Sequence, residues 1–221
     1  MMESAPRWKL RPEKQLSLEE YTSILDAAQS RGVRDWTLVF VSGNSGLRIS
    51  ENLHLRVSDV TVGGLDVVRR KKQTLERDTQ MVPPEFYHYV AQYVKEKGLK
   101  PDDWLFPGGC AECWRNVSIR KKNEHGKYEI VKQYREKVCD GGHLTVRRAQ
   151  AIFDAILGRA KLKLKGRGIH TLRHFDLTRF YAATKDLRAT QDRAGHSSPM
   201  TTVTYVHVVE MREKVNAVGI A

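Results

Sequence analysis

The sequence predicts a mainly α-helical domain that carries one small antiparallel β-sheet, an α+β fold. Apolar residues recur at intervals of three and four along most of the chain, the spacing that buries one face of a helix. Two β-rich runs, VGGLDVVRRKK and RDTQMVPP, instead flank a polar turn, as in a hairpin or a three-stranded sheet. With 221 residues, the chain is long enough for one well-packed domain.

The N-terminal part of the chain begins with a charged arm and continues with helix signals. Residues 1–15 contain two prolines and many charges, so we expect a basic arm there. Ser17–Glu20, SLEE, matches a capping box, and apolar residues follow it at helical spacing as far as Gly32. A second apolar segment, Trp36–Val41, leads through a glycine-bounded break into a short helix that carries Arg48.

The remainder of the chain is predicted to be helical apart from one polar segment. Two prolines, Pro83 and Pro84, start a helix that Gly98 ends. Residues 108–143 are polar, basic and bounded by glycines, so we interpret them as an insertion on the surface of the domain. Val146–Ala160 then shows strong helical spacing. Further helices are predicted over 170–183 and 187–194, with a short one near 209–218.

The charge balance favours a polyanionic partner. The chain has 38 basic and 26 acidic residues, a formal net charge of +12, which suits nucleic acid or an anionic membrane surface. Because the basic residues are spread along the chain and do not line one amphipathic helix, we favour nucleic acid and no membrane. No apolar run approaches the roughly 20 residues of a membrane span, and the N-terminus has no hydrophobic signal-peptide core. We therefore expect a cytoplasmic, nucleoid-associated protein.

The three cysteines of the chain all lie in the predicted insertion. Cys110, Cys113, Cys139 and His143 form a CxxC…CxxxH arrangement, which suits tetrahedral zinc. With zinc bound, the basic run Arg120–Lys122 would lie on a stiffened knuckle and contact backbone phosphates. The alternative is that these are unrelated, reduced thiols in a polar loop. The sequence leaves both interpretations open.

Four polar side chains lie where helical spacing would accept apolar ones: Arg48, His170, Arg173 and His196. Taken singly, such an arginine is usually a solvated surface charge and such a histidine a structural residue. Taken together, two planar guanidiniums and two imidazoles match the non-bridging oxygens of a phosphate. His170 and Arg173 are three residues apart and so share one helix face. The set predicts a site for a phosphodiester.

Tyr205 supplies a reactive oxygen close to this set in the sequence. It follows His196 by nine residues, and its alternative role is core packing with the hydroxyl satisfied. A phenol has a pKa of roughly 10, so as a nucleophile it needs nearby cations and a base. The arginines and histidines of the set are such groups if the fold gathers them.

Three stretches resemble the signature motifs of the tyrosine recombinases, also called phage-type integrases. They are SGLRISENLHLRVSDV, HTLRHF and AGHSSPMTTVTYVHV, and they agree with the family in order and spacing. The resemblance covers Ser17 to about Val209, with the insertion as an interruption. It implies the catalytic-domain fold of this family over 16–221. It also implies site-specific DNA strand cleavage and rejoining, in recombination or integration.

The resemblance further implies a role for each residue of the set. Tyr205 would attack the scissile phosphate and form a 3′-phosphotyrosyl intermediate, releasing a 5′-hydroxyl. Arg48, Arg173 and His196 would hold the non-bridging oxygens and stabilise the transition state. His170 would act as general base or as phosphate ligand, depending on its protonation.

In this family a lysine of the β-hairpin is the general acid toward the leaving 5′-oxygen. Lys71 and Lys72 are both candidates here, and we favour Lys72 because it lies nearest to the turn. The spacing from these lysines to the following VPP is longer than is usual in the family. The resemblance implies that Glu51 orients the first arginine, and that His174 and His207 have similar supporting roles.

The implied chemistry needs neither ATP nor a metal ion as a cofactor, because the phosphotyrosine conserves the energy of the phosphodiester. The implied partner is double-stranded DNA, on which four protomers form a homotetramer, with or without accessory DNA-binding proteins. Full-length relatives usually carry an N-terminal helical domain, but here the catalytic pattern begins at Ser17. We therefore expect no separate core-binding domain in this sequence, and an origin in a prokaryote or a mobile element.

Three other interpretations compete with a recombinase. The tyrosine, both arginines and both histidines are all present, which argues against a catalytically silent DNA-binding relative. The G-H-S-S and T-x-x-x-Y-x-H patterns favour a recombinase over a type IB topoisomerase that relaxes supercoils. A zinc-ribbon nucleic-acid binder, with the rest of the chain as scaffold, is the weakest alternative.

Overall fold

The structure is a computed structural model that describes residues 15–71, 74–108, 114–122, 128–137 and 142–218. Its helices are α1 (Leu18–Gln29), α2 (Val33–Asn44), α3 (Ile49–Leu53), α4 (Pro84–Lys97), α5 (Val146–Arg159), α6 (His170–Thr184), α7 (Leu187–Ala194) and α8 (Pro199–Val218), with a 3₁₀ turn over Val57–Asp59. Its strands are β1 (Val60–Thr61), β2 (Gly64–Lys71), β3 (Thr74–Gln80), β4 (Trp114–Lys122) and β5 (Tyr128–Lys137). The predicted fold class, mainly helical with a small antiparallel sheet, is confirmed.

Helix α1 begins at the capping box that the sequence predicts. The Ser17 hydroxyl accepts a hydrogen bond from the Glu20 amide at 3.1 Å, and the Glu20 carboxylate accepts one from the Ser17 amide at 3.0 Å. Both bonds satisfy amides that the first helical turn leaves without intrahelical partners. The next helix follows at once, because Gly32 at a φ of 125° allows the sharp change of direction.

The strands form two separate antiparallel sheets within the described residues. One has the order β1-β2-β3, with Leu65 opposite Gln80 and Lys71 opposite Thr74, so the predicted hairpin is confirmed. The other pairs β4 with β5 inside the predicted insertion. The sequence pattern predicts no strands in that segment, yet both strands contain aromatic and β-branched residues, WRNVSIRKK and YEIVKQYREK, which favour a β-ribbon.

Two hydrophobic clusters hold the helices together. The larger one packs residues of α1, α2, α4, α5 and the start of α6 around fully buried side chains such as Leu38 and Phe153. The smaller one joins α6, α7 and α8, and it consists of Leu177, Tyr181, Ala194, Tyr205 and Val209. Tyr205 therefore lies in the smaller cluster, where the last three helices meet.

The last helix differs from its prediction. A short helix is predicted near 209–218, but α8 has 20 residues, begins at Pro199 and carries Tyr205. The run Thr201–Val206 is rich in β-branched residues, which are weak helix formers. Packing of α8 against α6 and α7 overrides this weak propensity. No helix within the described residues combines the length and the apolar character that crossing a bilayer requires.

Candidate active site

Arg48 lies at the N-terminal cap of α3, one residue before the helix that was predicted to carry it. The Glu51 carboxylate accepts hydrogen bonds from the Arg48 amide at 2.7 Å and from its guanidinium at 2.8 Å. The Arg48 side chain is 43% exposed, whereas that of Glu51 is 9% exposed. The guanidinium is therefore held by one buried carboxylate and still presents part of its charge to solvent.

The turn before Arg48 depends on Gly46. This residue has a φ of 67°, and a Cβ there would lie 2.9 Å from the Asp176 carboxylate and 3.1 Å from Cγ of Arg193. Asp176 belongs to α6 and Arg193 to α7, and their side chains form a buried ion pair at 2.8 Å. A glycine thus lets the first of the three motif stretches approach the other two closely.

Arg173 is buried on α6, with 3% of its surface exposed. One terminal nitrogen donates a hydrogen bond to the Gly46 carbonyl, and the other donates to the Ala194 carbonyl at 2.6 Å and to His196 Nε2 at 3.1 Å. Burial lowers the pKa of Arg173 to about 10, while Tyr205 acts in the opposite direction. Arg173 therefore keeps its charge at neutral pH.

His196 follows Gly195, which ends α7 in the left-handed conformation at a φ of 58°. Because a guanidinium can only donate, Nε2 of His196 is the acceptor of the bond from Arg173. The proton of the neutral ring is then on Nδ1, which lies 2.9 Å from the Thr202 hydroxyl. Burial, followed by repulsion from Arg173, lowers the pKa of His196 to about 4, so the imidazole is neutral at physiological pH.

Tyr205 is 2% exposed and points into the same site from α8. Its hydroxyl lies 3.0 Å from Nδ1 of His174, and its ring is parallel to that of His196 at a centroid distance of 6.4 Å. Burial raises the pKa of the Tyr205 phenol to about 12, although the charge of Arg173 acts against this shift. The structure thus holds a neutral phenol beside a buried cation.

The three remaining histidines of the predicted catalytic set lie around this tyrosine or beyond it on α8. His170 is the first residue of α6 and is exposed, and its ring meets that of His174 edge to face at 4.7 Å. The two are four residues apart and so share a helix face. His207 is half-buried on α8, two residues after Tyr205.

Arg69 is a buried site residue that the sequence analysis does not single out. It lies on β2, is 3% exposed, and donates hydrogen bonds to the side-chain oxygen of Gln80 and to two carbonyls at the end of α7, Asp192 at 3.2 Å and Arg193 at 3.3 Å. The carboxylate of Asp78 lies 3.0 Å from its Nε as an ion pair, without hydrogen-bond alignment.

The signal that reveals Arg69 is the alternation of the strand. Leu65 and Val67 are buried at two-residue spacing, and Arg69 continues that inward face. Through Arg69 the hairpin is joined to the end of α7, directly before His196. Lys71 is the last residue of β2, whereas Lys72 lies outside the described residues, so the choice between them as general acid stays a prediction.

No cluster of three or more His, Cys, Asp or Glu side chains suited to a metal ion occurs among the residues that the structure describes. Cys110, Cys113 and Cys139 lie outside those residues, so the zinc hypothesis stays a prediction. His143 is half-buried, and its Nδ1 lies 2.8 Å from the Leu144 carbonyl. Since a carbonyl only accepts, Nδ1 carries a proton, and in the neutral ring Nε2 has the lone pair. Such an Nε2 lone pair is the kind of donor that zinc takes from histidine.

The fold brings together groups from three distant stretches of the chain. Arg48, Arg173, His196 and Tyr205 converge where α3, α6, the end of α7 and α8 meet, and His174 links Tyr205 to His170. Two guanidiniums and a neutral imidazole can bind a phosphate-type anion. The buried phenol offers an oxygen nucleophile beside them.

Comparison with known proteins agrees with this arrangement. The sequence model of the Phage integrase family matches residues 14–212. The chain is 27% identical over 196 residues to tyrosine recombinase XerC of Oceanobacillus iheyensis, covering 89% of the chain and 56% of the relative. It is 26% identical over 194 residues to XerC of Bacillus subtilis, covering 88% and 56%. The chain spans about half the length of these curated relatives.

Solved structures show the same fold. The crystal structure of XerA recombinase is similar with a TM-score of 0.67 at 18% identity, covering all of this chain and 68% of that one. The XerH site-specific recombinase bound to palindromic difH substrate, a post-cleavage complex, is similar with a TM-score of 0.64 at 21% identity, covering 94% and 53%. At these identities the likeness supports the architecture alone.

Proposed function

The chain belongs to the phage integrase family, the tyrosine recombinases, and from this premise we propose that it cleaves and rejoins DNA strands at specific sites. One observation carries the proposal: the hydroxyl of Tyr205 is buried beside His196 of the same motif stretch and beside Arg173 of another. A structural tyrosine does not need a buried cation and two imidazoles around its phenol. A nucleophile that attacks a phosphodiester does.

The two arginines would bind the scissile phosphate in different ways. Arg48 is partly exposed, so an incoming phosphate can replace solvent at its guanidinium while Glu51 keeps the side chain oriented. Arg173 already donates to His196 Nε2. A phosphate oxygen would replace that nitrogen as acceptor, and His196, once freed, would donate to the phosphate from Nε2 as the other neutral tautomer, with Nδ1 then accepting from the Thr202 hydroxyl.

The reaction then follows from the groups present. The Tyr205 oxygen forms a bond to phosphorus, the bond from phosphorus to the 5′-oxygen breaks, and a 3′-phosphotyrosyl intermediate results. The departing 5′-oxygen takes a proton from Lys71 or Lys72. A 5′-hydroxyl from a second strand reverses these steps and rejoins the DNA, and neither ATP nor a metal cofactor is required.

The proposed partner is double-stranded DNA, and the net charge of +12 supports a polyanion. Assembly as a homotetramer on two duplexes, with or without accessory DNA-binding proteins, belongs to the same proposal. The bacterial sources of the relatives support an origin in a prokaryote or a mobile element, with action on the nucleoid in the cytoplasm. The proposal also includes a basic arm over 1–15 and a surface insertion at 108–143, with zinc bound by the cysteines of that insertion.

The test is a covalent trap. DNA attached to the protein after denaturation is recovered from expressing cells and sequenced, and a duplex nicked beside that site is prepared as a suicide substrate. We expect a denaturation-resistant complex with the wild-type chain and none with Tyr205→Phe. Tyr181→Phe is the matched control, because Tyr181 is a buried tyrosine of the same small cluster and should leave trapping intact.

Two results would contradict the proposal. Tight, specific DNA binding without any covalent product would identify a silent DNA-binding relative. Relaxation of a supercoiled plasmid that lacks the recovered site would identify topoisomerase activity.

A further inference from the structure

The phenolic proton of Tyr205 needs a destination when the tyrosine attacks phosphorus. Burial keeps this phenol neutral at physiological pH, with its pKa raised to about 12. The proton must therefore leave as the new bond forms, and it must move to a base within hydrogen-bond reach. Solvent cannot serve at first, because the tyrosine is 2% exposed.

His196 is poorly placed to take this proton, although its ring is stacked on that of Tyr205. Its Nε2 accepts a hydrogen bond from Arg173, and its Nδ1 donates to the hydroxyl of Thr202. Its pKa of about 4 also shows that the imidazole resists a second proton while Arg173 lies beside it.

His174 is in hydrogen-bond contact with the reacting oxygen. Its Nδ1 lies 3.0 Å from the Tyr205 hydroxyl, which is within the range for direct proton transfer. His174 is itself half-buried, but its ring meets the exposed ring of His170 edge to face at 4.7 Å, one helical turn earlier on α6. The three side chains therefore form a series of contacts from the buried phenol to the surface, with a hydrogen bond between Tyr205 and His174 and a ring contact between His174 and His170.

We propose that His174 is the proton acceptor for Tyr205 during DNA cleavage and that His170 passes the proton on to solvent. The inference rests on the proposed function and departs from the family resemblance, which gives His170 the role of general base or of phosphate ligand. In the step, the O–H bond of Tyr205 breaks and its proton moves to Nδ1 of His174. The phenolic electron pair forms the bond to phosphorus, and the bond to the 5′-oxygen breaks. During rejoining, the proton returns along the same path to the released phenolate.

The first test measures single-turnover cleavage of the suicide duplex by variants at position 174. Glutamine can hold a hydrogen bond to the phenol but cannot accept its proton, so we expect His174→Gln to bind DNA normally and to cleave at least about 100-fold more slowly. His174→Ala should be equally slow, and added imidazole should raise its rate because the free base can occupy the vacated space. His88→Gln, an exposed histidine on α4, is the matched control and should cleave at the wild-type rate.

Two outcomes of this test overturn the inference. One is cleavage by His174→Gln within about threefold of the wild-type rate, and the other is a rate of His174→Ala that imidazole does not raise. In both cases the proposed function stands, because the wild-type chain still forms the covalent complex. If the wild-type chain itself forms no covalent complex, the proposed function fails, and this inference fails with it.

A second measurement needs no DNA. In the nitrogen NMR spectrum of histidine-labelled protein, Nδ1 of His174 should appear as an unprotonated acceptor, and its signal should shift in Tyr205→Phe while that of His88 does not. A protonated Nδ1 in the wild-type chain would mean that His174 donates to the tyrosine, which excludes it as the acceptor of the proton.

Discussion

The two predicted phosphate-binding arginines have the same side chain and opposite environments. Arg48 stands at the start of a five-residue helix, is 43% exposed in its side chain and is held by the carboxylate of Glu51. Arg173 stands within a 15-residue helix, is 3% exposed and is held by the carbonyls of Gly46 and Ala194. One arginine presents part of its charge to solvent, while the other connects the parts of the candidate site through buried hydrogen bonds.

The exposed environment suits the binding of a ligand, whereas the buried environment suits stabilisation of the fold. An ion pair whose guanidinium is 43% exposed contributes little to stability, because water competes for the charge of the arginine. A buried guanidinium bonded to backbone carbonyls satisfies acceptors that would otherwise remain unpaired in the interior. Variants that remove one or the other should therefore differ in stability long before DNA is added.

The largest effect is expected from comparing Arg173→Ala with Arg48→Ala. Loss of Arg173 leaves the carbonyls of Gly46 and Ala194 without their donors and opens a cavity, so we expect the free energy of unfolding to fall by about 3 kcal/mol. Loss of Arg48 should lower it by less than about 1 kcal/mol. Urea unfolding followed by tryptophan fluorescence measures both values. Equal losses would show that the buried and exposed environments are not energetically different.

The next effect concerns the contact between Arg69 and Gly195. A Cβ at position 195 would overlap Nη1 of Arg69 and lie 3.1 Å from its Cζ, and Arg69 is buried and held by carbonyls, so it has little room to move. We expect Gly195→Ala to lower the free energy of unfolding by about 2 kcal/mol, with strain at a positive φ as one part of the loss.

Gly98→Ala is the matched control for that variant. Gly98 also ends a helix at a positive φ, 64°, but a Cβ there would meet nothing within 4 Å. It should therefore lose only the conformational part, about 1 kcal/mol. Thermal or urea unfolding of the two variants gives the part of the stability loss that is due to the contact with Arg69. Identical losses would show that this contact contributes nothing.

A smaller effect should appear as pH falls. His196 has an ordinary pKa of 6.5 when unfolded and about 4 when folded, so below pH 6.5 the unfolded chain binds a proton that the folded chain does not. The stability that this neutral histidine contributes is complete above pH 6.5 and is lost as pH falls toward 4. After allowance for partial exposure we expect a loss of about 1 to 2 kcal/mol. In His196→Gln the decline between pH 6.5 and 4 should be shallower by that amount, and parallel curves would contradict the shift.

The smallest effect is expected at the exposed arginine. Glu51→Gln replaces an ion pair by a neutral hydrogen bond, so the free energy of unfolding should fall by less than about 1 kcal/mol. Because the pair is partly exposed, 1 M salt should reduce the difference further. Unfolding of both chains in low and high salt measures it. A loss that salt leaves unchanged would indicate that the pair is effectively buried.

The sequence predicts regular helices well because their signals are local. The capping box at Ser17, the prolines before α4 and the periodicity of Val146–Arg159 each fix an element through residues within a few positions. The extent of α8 is not predictable in this way, because its β-branched first half is helical only through packing against α6 and α7. Tertiary contacts decide such segments.

The site residues likewise differ in whether a local sequence signal predicts them. The identities of the two arginines and of the tyrosine follow from motif spacing, and the structure brings these residues together. Their roles in catalysis stay proposals. The contact between His174 and Tyr205 spans 31 positions of the sequence, and that between Arg69 and Arg193 spans 124, so no local sequence pattern predicts either contact. Burial of an arginine could be anticipated only from the inward face of β2, and only once the strand register is known.

The close approach of Arg69 to Gly195 also restricts how this chain can diverge. While an arginine in this conformation occupies position 69, a Cβ at position 195 overlaps its Nη1, so we expect a larger residue at 195 to be accompanied by a smaller one at 69. The two positions are therefore expected to change together, although they lie 126 positions apart in the sequence. Correlated substitution at these sites among descendants would be the evolutionary trace of a single van der Waals contact.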